Sequence, residues 1–137
     1  MKAYNTDTVY TVLKTMEPQG FNIYKNYFIG DGLFIFAFGA LQFTLLISAY
    51  KWMSARVNVV KWLILFVPIL RGICDAVENT LLILVLTRYP VECASLIDIS
   101  AKATFLKLLL IRIWAVLFIA GLLLGIKYKK KRIVSRT

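Results

Sequence analysis

Apolar residues fall in three long runs separated by short polar or basic stretches. Leu33 to Tyr50 is apolar apart from Gln42, Thr44 and Ser48. Val59 to Leu86 is apolar except near its middle, where Arg71, Asp75, Glu78 and Asn79 interrupt it. The third run extends from Leu108 to Ile126, and its helix can begin as early as Ala94, giving a more polar first section with Asp98 and Lys102. Ahead of these runs, Val9, Val12, Leu13 and Met16 recur at helical spacing, with Asp7 placed to cap a helix and Pro18 and Gly20 placed to end it. A segment of about ten residues is too short to cross a bilayer and suits an amphipathic helix in the interface. The pattern predicts an all-α membrane protein, a bundle of three transmembrane helices (31–50, 60–87 and 105–126) with an N-terminal amphipathic interfacial helix (6–17). A basic tail at 127–137 completes a single domain.

Charge decides between three spans and four. The middle run leaves about 30 residues between the loop at 54–58 and Pro90, where two helices would need about 40 and a turn. The loop carries Lys51, Arg56 and Lys61, and the tail carries Lys127, Lys129, Lys130, Lys131, Arg132 and Arg136, nine positive charges without acidic neighbours. Residues 1–30 and 88–102 hold five basic and four acidic residues. The positive-inside rule places loop and tail on one side, which requires an even number of spans between them. The expected topology puts the N-terminus outside and the tail in the cytoplasm, in the cell membrane. Tyr24, Tyr27 and Phe28 suit the headgroup level, and the tail suits anionic lipid headgroups.

Composition narrows the classes further. The apolar share is 60%, above the roughly 45–50% of soluble domains. A net charge of +10 raises nucleic acid as a partner, but the basic residues gather at the ends of apolar runs, so no nucleic acid is expected. The first 20 residues, with Asp7, Glu17 and Pro18, lack the continuous apolar run of a signal peptide. Cys74 and Cys93 lie far apart along one run and its end, so both are expected as unpaired thiols. There is no histidine, CxxC, HExxH, GxSxG or Gly-rich phosphate loop, so no cofactor, metal or catalytic residue is expected.

The candidate chemistry is the charge inside the runs. Arg71, Asp75 and Glu78 are spaced i, i+4, i+7 and share one helical face, with Asn79 beside them. At 1.5 Å per residue from the basic ends, Asp75 and Arg112 fall at roughly 21 Å depth, and Asp31, Lys107 and Asn79 at roughly 27–28 Å. Three acids and three bases from three spans thus converge, and mutual pairing relieves a cost of about 2.5–3.5 kcal/mol for each charge left alone. Lys107 and Arg112 are five residues apart, about 140° around a helix. They cannot share a face, so one meets the cluster from another angle or snorkels outward. Gly30 and Gly32 flank Asp31 and permit a break or a close approach. Gly121 and Gly125 match the small-xxx-small helix-packing motif.

Val9-Tyr10 with Leu13, Asp31 at the start of the first span, Asp75-x-x-Glu78-Asn79 in the second and Lys107 in the third form a pattern that resembles small, uncharacterised microbial integral membrane proteins with a D-x-x-E-N signature. The resemblance implies no activity. It implies that these residues act as a unit. Two functions follow as expectations. One is a non-enzymatic accessory or interaction subunit with a buried polar cluster, in a homo-oligomer or a larger membrane complex. The other is an oligomeric small transporter or ion- or proton-conducting protein using Asp75 and Glu78.

Overall fold

The computed structural model describes residues 4–52 and 58–134. They form four helices, α1 (Thr6–Thr15), α2 (Pro18–Ala49), α3 (Asn58–Arg88) and α4 (Ala94–Val134). The expected loop arginine, Arg56, and the last tail arginine, Arg136, lie outside the described residues.

Local chemistry sets the helix ends. Asn5, rather than the expected Asp7, caps α1, its Oδ1 accepting the Thr8 N–H at 2.8 Å. Asp7 lies within the first turn, where a carboxylate favours the positive end of the helix dipole. Pro18 does not merely end α1 but opens α2, because a proline at the first helical position forfeits only an N–H that has no partner there. The first long helix therefore starts well before the expected position 31, and Gly20 lies inside it. No break occurs at Gly30 or Gly32, and nothing approaches either glycine closely. α3 continues through Pro68, and α4 begins at Ala94, the early start foreseen for it. α4 also runs on through Lys127, Lys129, Lys130, Lys131 and Arg132 to Val134, so the expected basic tail is helical over its described residues.

Two of the described helices are long and apolar enough to cross a membrane, over Gln19–Ala49 and Ala94–Lys131. Only 17% and 11% of their most apolar windows is buried within the protein, whereas the core helix of a soluble domain is mostly covered. Phe36 is 80% exposed and Leu33 76%.

α3 packs most extensively on α4 and then on α2. At one end, Leu46, Ala49, Tyr50 and Leu65 form a core against Trp114, Leu117 and Phe118. Trp52 and Tyr128 lie with ring centroids 5.6 Å apart, which brings the basic ends of α2 and α4 together. At the other end, Tyr10 and Leu13 of α1 pack on Val85, Leu86 and Ile97. Tyr10 Oη accepts the Cys93 N–H at 2.6 Å and donates to the Val91 carbonyl at 3.2 Å, tying α1 to the turn between α3 and α4. Both cysteines are free thiols.

A candidate charged site between three helices

Helical spacing puts Arg71, Asp75 and Glu78 on one face of α3, and that face is buried. The Arg71 guanidinium pairs with Asp75 Oδ2 one turn away and lies over the Phe38 ring of α2, 4.8 Å from its centroid. Lys107 of α4 completes the group, with Nζ 2.9 Å from Asp75 Oδ1 and 2.5 Å from Glu78 Oε2. On the other flank, Asn79 Nδ2 donates to Asp31 Oδ2 of α2 at 2.6 Å. The polar groups of α3 thus reach both neighbouring helices.

Asp31, Arg71, Asp75, Glu78, Asn79 and Lys107 line one cavity of about 390 Å³. Arg112, expected with them, is exposed on α4 and does not line it. Without Arg112 the lining carries three carboxylates against two cations, an excess of one negative charge. The excess falls to Asp31, whose partner is the neutral amide of Asn79, while Arg71, Asp75, Lys107 and Glu78 balance one another.

The predicted glycines lie elsewhere, near the basic end. A methyl group on Gly121 would meet the Tyr50 ring at 2.6 Å, and one on Gly125 would meet Trp52 at 2.9 Å. Tyr50 Oη donates to the Leu117 carbonyl at 2.8 Å and Trp52 Nε1 to the Gly121 carbonyl at 3.1 Å. This small-residue face of α4 is covered from within the chain.

Sequence reasoning missed the aromatic wall of the cavity. Tyr24, Tyr27, Phe28, Phe34 and Phe38 line it, although the first three read as a headgroup belt. The signal was available, since positions 24, 27, 28, 31, 34 and 38 follow the three-and-four spacing of one helical face that includes Asp31. It also missed two groups of buried polar atoms. Arg71 Nε and Nη1 have no hydrogen-bond partner although the residue is only 3% exposed, and the Gln42 amide likewise has none. A buried donor without an acceptor costs about 1–3 kcal/mol.

A second, apolar cavity of about 230 Å³ lies beneath α1, lined in part by Val9, Val12, Leu13 and Met16. It shares Tyr24, Phe28 and Leu82 with the charged one. Among the described residues no group of three or more Cys, Asp or Glu is placed to hold a metal ion. The arrangement can lock helices together, hold a charged group or exchange protons. Set beside protein-family models, curated proteins and solved structures, the chain matches none of them, so the D-x-x-E-N pattern carries no family assignment here.

Proposed function

We propose that this chain is a small polytopic membrane protein in which α2, α3 and α4 each span the bilayer and α1 rests at the outer interface. In this reading it serves as a non-enzymatic accessory or interaction subunit. The observation that carries it is the Arg71–Asp75–Lys107–Glu78 network, which fixes α3 to α4 between helices whose other faces present apolar side chains. Charge within a span is tolerated where it faces protein, and α3 directs its charge in that way. The exposed apolar faces of α2 and α4 are then free for lipid, for a second copy or for the helices of a partner complex. The joined basic ends of α2 and α4 suit the cytoplasmic side, in contact with anionic headgroups, and leave the α3–α4 turn outside.

Membrane-impermeant thiol labelling of intact cells tests this topology in a background with both native cysteines replaced. A cysteine at Ser95 reacts from outside, and one placed after Arg132 does not. Labelling in the opposite sense overturns the reading.

A second reading, an oligomeric transporter or proton conductor using Asp75 and Glu78, is favoured by the place of both carboxylates in the lining of one cavity, beside Asp31. Proteoliposome flux separates the two. Proton or cation flux abolished by Asp75→Asn, in a variant that still folds, supports transport, whereas no flux from the intact chain supports the accessory role.

A further inference from the structure

We propose that the two adjoining cavities form one binding site for an amphiphile with an ammonium headgroup. The head occupies the charged chamber beside Asp31, and the tail lies in the apolar chamber beneath α1.

Three independent observations converge on this ligand. First, the lining charge is negative by one, and the unbalanced carboxylate belongs to Asp31, which holds only the Asn79 amide among the described residues. A bound cation removes that imbalance at the one carboxylate outside the four-membered ion-pair group. Second, the carboxylate shares the chamber with Tyr24, Tyr27, Phe28 and Phe34. Aromatic faces attract an alkylated ammonium through their quadrupole and tolerate its low hydration, a combination that a small hydrated metal ion does not reward. Third, Arg71 is buried, lines the chamber and keeps two guanidinium nitrogens, Nε and Nη1, without an acceptor. A head bearing an oxygen near its ammonium would satisfy them.

The tail follows from continuity. Tyr24, Phe28 and Leu82 belong to both linings, so the apolar chamber adjoins the charged one across these side chains. The charged chamber, at about 390 Å³, falls within the roughly 300–1,000 Å³ of small-molecule sites. Two sources provide this chemistry, a lipid with a choline or ethanolamine head and a free long-chain amine. The inference rests on the membrane reading only for where such an amphiphile comes from. An error in topology appears in the labelling experiment and leaves the following binding test interpretable.

The test is equilibrium binding of radiolabelled dodecyltrimethylammonium, dodecylphosphocholine and dodecyl phosphate to the purified full chain in dodecyl maltoside. Saturable binding of both ammonium probes is expected, with dodecyl phosphate at least tenfold weaker. Asp31→Asn, which keeps a hydrogen-bonding partner for Asn79, lowers ammonium binding at least tenfold. Tyr27→Ala, at a residue 66% exposed and so tolerant of change, lowers it severalfold should the first variant fold poorly. Tighter binding of the phosphocholine probe identifies a phospholipid head as the source, and tighter binding of the trimethylammonium probe identifies a free amine. Dodecyl phosphate binding as well as the ammonium probes, or ammonium binding unchanged in both variants, overturns the proposal.

Discussion

The Lys107 ammonium lies 2.9 Å from Asp75 Oδ1 on the neighbouring helix, and the same nitrogen also serves Glu78. One cation therefore holds two carboxylates that stand on adjacent turns of α3. Removing it leaves those carboxylates facing each other with Arg71 as their sole balancing charge. Lys107→Met is expected to lower unfolding stability by about 3–5 kcal/mol, the usual loss when one partner of a buried ion pair is deleted. Chemical denaturation of the purified chain in detergent measures this, and a loss below about 1 kcal/mol would assign the network to the solvated class.

Arg112 provides the contrast. It is exposed and none of the described ion pairs includes it, so Arg112→Gln is expected to lower stability far less than Lys107→Met. Equal losses at positions 107 and 112 in the same denaturation assay would contradict the division of labour between these two bases.

Gly121 tests the contact at the basic end. An alanine there forces the Tyr50 ring aside and threatens its bond to the Leu117 carbonyl, at a cost of about 1–3 kcal/mol. In a Tyr50→Ala background the same substitution is expected to be nearly neutral. A double-mutant cycle gives the coupling directly, and additive losses would mean that another neighbour resists the methyl group.

Tyr10 controls the seating of α1. Tyr10→Phe retains the ring in its apolar site but leaves the Cys93 N–H without its acceptor, at a cost of about 1–3 kcal/mol. Hydrogen exchange is expected to quicken in α1 and at the start of α4, while the α2–α3 contacts keep their protection. Uniform acceleration would show that α1 does not move as a separate unit.

The legible parts of the site depended on translation along a helix. The Arg71–Asp75 pair needs nothing beyond i, i+4 spacing. The bond between Asp31 and Asn79 follows from equal height on neighbouring helices, because rise per residue converts sequence distance to depth. Rotation was harder to read. Depth alone matches Asp75 with Arg112, yet α4 presents Lys107 to α3. Its buried positions include Ile97, Ser100, Ala101 and Leu110, a stripe that passes through 107 and misses 112. In a helix that is apolar nearly all around, little hydrophobic contrast marks such a stripe. The start of α2 was obscured for another reason. Pro18 and Gly20 both read as helix breakers, whereas a proline at a first turn is compatible with a helix that continues for eight more turns or so.

The position of Lys107 in α4 has a consequence for biogenesis. A ribosome makes α3 before it makes the residue that neutralises Glu78, so the nascent α3 carries only the internal Arg71–Asp75 pair as compensation. In the membrane reading, such a helix partitions poorly into lipid by itself and waits at the insertion site for α4. A chain ending at Arg88 is then expected to remain extractable by alkaline carbonate, while the full chain resists extraction. On that reading α3 and α4 would enter the bilayer together as a hairpin, with the Lys107–Glu78 pair as the condition for integration.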